Sequence, residues 1–484
     1  MKKDKRNIFI LLGILFVIFI CFCITNKMIE NDIFYSIKVG ETILKNGIDF
    51  KDHFSWIKDL TYTYPHWLFD VFIYKIYDIF DFFGIYIFSF LLFSFLMCLV
   101  FVLNIKKKRS IKSSLITSIV IAFFLSYFSS GRAQAVTYIV FLLEIYFIES
   151  FLEKNSILSV VGLFILPIII ANTHIAMFYF YFVLFLPYIF EYIIAIILEK
   201  KNIKFSSISI KKNNNLKYLL YLLPVMFLTG FISPLGMNVY TYYPKTILGN
   251  STNYIAEHDP ITIKKHLSFF VFVFCYFVFI LFNKKKISIK DLFLIAGLIL
   301  MSLLHSRNYS LFLVISSYFL CNVIETIFSY INIRKLSYFI FIFVICLVSY
   351  FSVDKFLDNK EYSYVSSKMY PVEAVSYIKK NLMTNDVKLF NDYDYGSYLI
   401  LHDIPVFFDS RADLYNKEFN SKLSSFFDLA MRIEKFYPYL FEQYRITHAL
   451  VRVDDIMGII LKNHVNYKEI YNDSNFAIYE KIEY

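Results

Sequence analysis

Charge, glycine and cysteine are all scarce in this chain, and each shortage excludes something. Only 18% of its 484 residues are charged, where soluble domains sit near a quarter, so an ordinary soluble protein is excluded. Twelve glycines supply no glycine-rich phosphate loop, which excludes an internal ATPase of the P-loop kind. The six cysteines, Cys21, Cys23, Cys98, Cys275, Cys321 and Cys346, all fall within apolar stretches. None lies in the last quarter of the chain, so no disulfide framework holds that region, and the six read as packing residues. No internal repeat is visible, so the sequence carries no sign of an inverted-repeat transporter.

What the chain has in abundance is apolar surface, with 58% hydrophobic residues. Apolar runs near the length needed to cross a hydrocarbon core of roughly 30 Å occur at 7–25, 83–105, 114–130, 136–152, 156–171, 175–198, 217–233, 267–283, 290–305, 309–328 and 336–353. The expectation is an α-helical polytopic membrane protein with about eleven transmembrane helices. The first run is not followed by a small-residue cleavage site, so it reads as a retained helix.

The net charge of +10 does not indicate a nucleic-acid binder, because the cations gather in alternate loops. Lys2, Lys3, Lys5 and Arg6, then Lys106 to Lys112, then Lys200 to Lys217, then Lys284 to Lys290, then Arg334 and Lys335 mark one side. The positive-inside rule makes that side cytoplasmic and places the N-terminus there. An odd number of spans then puts everything after about Val353 outside. The expected organisation is a membrane domain over 1–353, with outer loops 26–82 and 234–266, and a small extracytoplasmic α/β domain over 354–484.

The first outer loop begins Met28-Ile-Glu-Asn-Asp32, runs through a short helical pattern with Ile33, Phe34, Ile37 and Leu44, and continues to Asp49, Asp52, His53 and Trp56. Both tryptophans, Trp56 and Trp67, are in this loop, as expected at a water–lipid interface. From His66 to Phe82 polar and apolar residues fall on opposite sides of a helix, which predicts a helix lying in the membrane surface. Pro167, Pro187 and Pro224 fall inside three spans and predict kinks. In the tail, Pro371 opens a predicted helix, and Val387–Phe390, Val406–Phe408, Ala449–Val453 and Phe476–Tyr479 read as short strands.

Ionisable residues concentrate on the outer side. All nine histidines, including His53, His174 and His258, fall there or at the outer boundary, with Asp32, Asp49, Asp52 and Glu257. Such a gathering marks a polar cavity, or merely the ordinary polarity of outer loops. Arg132 and Arg307 sit in tight outer turns, where a guanidinium either binds a lipid phosphate or anchors a helix end. Glu257-His258-Asp259 offers acid–base groups or ligands for a divalent cation. Three adjacent residues cannot face one point, so at most two belong to one site, and no residue is assigned as a metal ligand. Asp392-Tyr-Asp394 has the form of a nucleotide-sugar motif but is expected outside, where such donors are scarce. Asp409-Ser-Arg411 reads as an Asp–Arg pairing at a strand end. Glu144 is a lone carboxyl in mid-span.

The order of these elements resembles that of the GT-C glycosyltransferases, membrane enzymes related to protein mannosyltransferases and to the aminoarabinose transferases of lipid A. The resemblance rests on Asp32 just after the first span, the amphipathic segment His66–Phe82, and many spans followed by an external α/β domain. It is strongest to bacterial members of the class without assigned substrates. Their first loop is similar to Asp32, Gly40, Gly47, Asp52-His-Phe-Ser55 and Trp67-Leu68, and their tail to Asn391-Asp-Tyr-Asp-Tyr-Gly396 and Pro405-Val-Phe-Phe-Asp409-Ser-Arg411. Many relatives carry an Asp-Glu pair where this chain has Asp32-Ile33.

The resemblance implies a cell-membrane, multi-pass glycosyltransferase that moves a sugar from a polyprenyl-phosphate donor to a cell-envelope acceptor on the outer face. Its partners would be that donor, membrane lipids and the acceptor, with no nucleic acid. It gives the catalytic role to Asp32. The leaving lipid phosphate needs cations, for which Arg132, Arg307 and Lys264 are the candidates. Asp52, His53, His174, Glu257 and His258 are further cavity candidates, and a divalent cation is the one cofactor considered. The alternatives are a transporter or flippase of a lipid-linked or anionic solute, and a non-catalytic envelope assembly or sensor protein on the same scaffold. A transporter would need charged or discontinuous helices near the bilayer midplane, where Glu144 stands alone.

Overall fold

The computed structural model describes residues 2–202, 208–282, 286–330, 334–384 and 386–482. Lys204, Lys284 and Lys285, counted among the basic loop residues, lie outside them. The chain divides into two compact units, Met1–Asn26, Ile87–Val239 and Ala256–Glu361 in the first, and Lys27–Tyr86, Tyr240–Ile255 and Tyr362–Tyr484 in the second.

All eleven apolar runs are largely helical. Six described helices are long and apolar enough to cross a membrane: Asp4–Ile24, Trp67–Lys106, Ile111–Phe128, Ala133–Lys154, Ile175–Lys200 and Tyr338–Asn359. A seventh span results if Asn308–Ile315 and Ser317–Tyr330, bent by 54° at Ser316, count as one. The remaining four, Ile157–Thr173, Leu216–Ile232, Leu267–Phe282 and Ile289–Leu304, are shorter. At 1.5 Å per residue a helix of 16 residues covers about 24 Å, short of the full core, so the expected eleven depends on these four.

Within the first unit the loops sort into two groups, as the charge pattern implied. At one end Glu149 is held between Lys107 and Lys290, the latter at 2.7 Å. Arg109 pairs there with Glu325 at 3.0 Å. The turns carrying Arg132, Glu257 and Arg307 meet in a separate group. Pro167 and Pro224 sit inside helices. Pro187 falls in the first turn of Leu186–Lys200, just after a break that follows Phe178–Val183, because a proline without an N–H is tolerated at a helix start.

The second unit joins the first outer loop to the tail. Helix Asn31–Asn46 is buried on most of its circumference, from Ile33 through Ile43. Gly47, at φ 77°, closes it with an N–H bond of 2.8 Å to the Ile43 carbonyl, a left-handed position that favours glycine. Gly40 allows the next helix to approach, since a Cβ there would lie 2.1 Å from the Asp70 carbonyl oxygen. That next helix, Trp67–Lys106, is one element with a non-helical residue at Asp81, so the amphipathic segment and the following span are continuous but broken.

In the tail, Leu389–Phe390, His448–Arg452, Phe476–Lys481 and Tyr467–Asn472 form a four-stranded sheet in that spatial order. The first pair is parallel and the other two are antiparallel. The helix expected after Pro371 is Val372–Asn381. Val406–Phe408, expected as a strand, is not one. Val406 instead bridges to Ser55 of the first loop, its N–H bonded to the Phe54 carbonyl at 3.0 Å. Trp56, expected at a lipid interface, stacks on Phe407 at 5.4 Å and donates its indole N–H to the Leu389 carbonyl at 3.0 Å.

Candidate active site

Asp32 stands in the first turn of helix Asn31–Asn46. Three residues on, Tyr35 points into the interior of the second unit and is 7% exposed. Burial, and then the nearby Asp32, Asp70, Asp413 and Tyr242, push its phenol well above the ordinary range. These three carboxylates come from the first loop, the following helix and the tail, all within the second unit. Burial also raises Asp413, to about 6, against hydrogen bonds from the backbone and Tyr242. The sequence alone assigns no role to Tyr35, Tyr242 or Asp413. The signal present was the placement of Tyr35 one helical turn after Asp32.

The turn that carries Asp413 is fixed on three sides. The Arg411 side chain is fully buried. Its Nε and Nη2 donate to the two Asp409 carboxylate oxygens, each at 2.8 Å, and its Nη1 to Asp52 at 2.6 Å. The guanidinium lies 5.0 Å from the ring centres of both Phe54 and Tyr62, and Tyr415 donates to Asp409 at 2.5 Å. Five residues further, Asn416 exchanges hydrogen bonds with Ser251 at 2.7 and 3.1 Å. Asn420 accepts the Thr61 N–H at 2.8 Å and donates to its carbonyl at 3.0 Å. Residues 409–420 thus bind the first loop, the 240–255 segment and the tail into one body. The Asp–Arg pairing expected in the tail is present, and it recruits Asp52, considered earlier as a cavity residue. His53 lies beside it and contacts Asp49 at 2.9 Å.

In the first unit, Arg132 and Arg307 do come together, on Glu257. Arg132 Nη1 is 3.1 Å from Oε1, and Arg307 Nε is 3.8 Å from Oε2. Burial opposes ionisation of Glu257, but Arg132 and then Arg307 outweigh it and hold the carboxyl below its usual range. His258 faces His305 at 5.7 Å between ring centres. Burial, Arg307 and His305 depress its pKa to about 4, so it is neutral at pH 7. His174 is buried elsewhere in this unit, its Nδ1 2.7 Å from the Thr137 hydroxyl, and Lys264 is exposed in a turn. Glu144 is fully buried, and both its oxygens are without a hydrogen bond.

Among the described residues no three histidine, cysteine, aspartate or glutamate side chains are placed to hold a metal ion together. The described residues therefore form no dedicated cage for the divalent cation considered from the sequence.

No protein-family model and no curated protein matches the sequence. Solved structures do match. The oligosaccharyltransferase of Archaeoglobus fulgidus, tethered to an acceptor peptide with an NVT sequon, superposes at TM-score 0.63 with 10% identity, over 98% of this chain and 74% of that one. The chain has the GT-C fold. The apo form of the same enzyme gives 0.60 at 11% identity, over 92% and 69% of the two chains. The archaeal oligosaccharyltransferase AglB, in complex with an inhibitory peptide and a dolichol-phosphate, gives 0.62 at 11% identity, over 98% and 74%.

Proposed function

We propose that this protein is a membrane glycosyltransferase that transfers a sugar from a polyprenyl-phosphate donor to a cell-envelope acceptor on the outer face of the membrane. The observation that carries the reading is the shared fold over 98% of the chain with an oligosaccharyltransferase, in a protein with an aspartate opening the first helix after its first span. The dolichol-phosphate in the AglB complex supports a lipid-phosphate donor here.

Asp32 acts as general base. Its carboxylate takes the proton from an acceptor hydroxyl or amine as that atom attacks the anomeric carbon, and the bond from that carbon to the phosphate oxygen breaks. The negative charge left on the lipid phosphate needs cationic stabilisation, for which the forked guanidiniums of Arg132 and Arg307 are the candidates that the sequence offers. The buried Arg411 cluster holds the first loop against the tail, so the helix carrying Asp32 is set by packing. The alternation of basic loops supports a cytoplasmic N-terminus and an extracytoplasmic C-terminal domain.

The test is Asp32→Asn, which keeps the shape of the side chain and removes its proton affinity. A general base contributes about 10²–10⁴ in rate, so a deletion strain complemented with this variant should lose its glycan or glycolipid product while the protein is present at normal level. Full restoration of the product by Asp32→Asn would remove Asp32 as the base.

A further inference from the structure

Arg132 and Arg307 do not present an open anion site, because a carboxylate of this chain already fills it. Each arginine immediately precedes a helix, Ala133–Lys154 and Asn308–Ile315 respectively. The N-terminal parts of these two helices meet, since the Tyr138 hydroxyl, in the second turn of one, is hydrogen-bonded to Ser310 in the first turn of the other. Two guanidiniums and two helix starts therefore converge, and each favours a negative charge. Glu257 supplies it, at 3.1 Å from Arg132 and 3.8 Å from Arg307. His258, beside it, is neutral at pH 7 and adds no further cation.

The way Glu257 is held matters as much as where it is. Its backbone is pinned, with the carbonyl accepting the Arg307 N–H at 2.9 Å and the Ser306 hydroxyl at 3.1 Å. On either side His305 Nδ1 lies 2.8 Å from the His258 carbonyl, and the Ser306 N–H bonds to the Asp259 carbonyl at 2.9 Å. Its side chain, by contrast, is 38% exposed. A rotation about the side-chain bonds withdraws the carboxylate without moving the loop.

We propose that Glu257 is an internal stand-in for a phosphate: its carboxylate occupies the Arg132–Arg307 site at rest and swings aside when a phosphate-bearing ligand enters. The inference rests on the reading of these arginines as phosphate ligands. It makes Glu257 a residue that weakens binding, unlike a supporting residue, which would strengthen it. A phosphate monoester or diester that carries more charge and more acceptor oxygens than a carboxylate outcompetes it, whereas a weaker anion does not. Glu257 thereby sets which anions enter.

The experiment measures binding of farnesyl phosphate and of inorganic phosphate to the full-length protein in detergent, with farnesol as the uncharged control. Glu257→Gln removes the competing charge and keeps the shape, so farnesyl phosphate should bind about 10-fold more tightly, the size of one charge-assisted hydrogen bond, while farnesol is unchanged. Parallel tightening for inorganic phosphate identifies the anion alone as the competitor. Tightening for farnesyl phosphate only identifies a lipid phosphate as the ligand. Unchanged or weaker binding by a folded Glu257→Gln overturns the proposal. Glu257→Asp, too short to keep both contacts, should give a smaller gain of the same sign, and its failure to do so is equally adverse if the glutamine variant does not fold. Arg132→Gln and Arg307→Gln separate the two levels. If they leave farnesyl phosphate binding intact, the donor-site reading itself falls. If they weaken it and Glu257→Gln brings no gain, only the stand-in role falls.

Discussion

Replacing Arg411 by alanine is the most informative change to the second unit, because the structure fixes what is lost. Arg411 gives three side-chain hydrogen bonds to two carboxylates, and the side chains of Asp409 and Asp52 are 0% and 1% exposed. Removing the guanidinium strands both in a site that water does not reach. Breaking a buried pair from one side costs about 3–5 kcal/mol, and lost stacking against Phe54 and Tyr62 adds roughly 1 kcal/mol. In a body of this size each kcal/mol moves the melting temperature by about 2–4 °C. The unfolding transition of the second unit should therefore fall by roughly 8–24 °C.

Differential scanning fluorimetry of the full-length protein in detergent reads this transition, and limited proteolysis of the first loop reports which part has loosened. Arg411→Lys keeps a charge without the fork and should lie between the two. Combining Arg411→Met with Asp52→Asn and Asp409→Asn strands no charge, so it should recover most of the loss. A melting temperature within about 2 °C of the parent for Arg411→Ala would show that the turn is not clamped by this guanidinium.

Gly40→Ala should destabilise the same unit, since its Cβ would meet the Asp70 carbonyl oxygen at 2.1 Å; overpacking costs about 1–3 kcal/mol, read in the same melting experiment. Asp413 gives a pH signature: burial raises its pKa from the ordinary 3.8 to about 6, so the folded state favours the protonated form and loses stability as pH rises from about 4 through 6. Asp413→Asn should accordingly raise the melting temperature at pH 7.5 relative to the parent and change it little at pH 4, and a stabilisation independent of pH would refute the assignment.

Much of the first unit was legible because its signals are local. Long apolar runs and the alternation of basic loops are read from neighbouring residues, and both reappear as helices and as separated loop clusters around Glu149 and Glu257. The helix after Asp32 and the strand near Ala449 were visible for the same reason. The strand Tyr467–Asn472 was not, because it is polar on most of its length and half-exposed. Trp56 and Val406–Phe408 were misplaced by rules of composition. An apolar aromatic near a span suggests lipid, and a short run of valine and phenylalanines suggests a strand, yet each is used to pack the first loop onto the tail.

The organisation around Asp32 could not be read at all, and the reason is distance along the chain. Asp52 and Arg411 are 359 residues apart, as are Thr61 and Asn420. Periodicity reports that a face is buried but never by what, so the tail reads as a domain of its own while its Asp409–Asn420 turn is fastened to residues 52–61. The same turn carries Asp413, whose charge helps to raise the phenol of Tyr35, one helical turn after Asp32. A carboxylate that catalyses proton transfer must be held in place by something other than the loop that bears it. If Asp32 is such a carboxylate, the tie between Asp52 and Arg411, the last residue of a motif whose sequence reading ends at a local pair, steadies the loop that follows its helix. If Asp32 is the base, then Arg411→Lys should lower the rate of sugar transfer at temperatures where the protein remains folded, and leave farnesyl phosphate binding unchanged. A rate equal to the parent's would mean that the clamp serves stability alone.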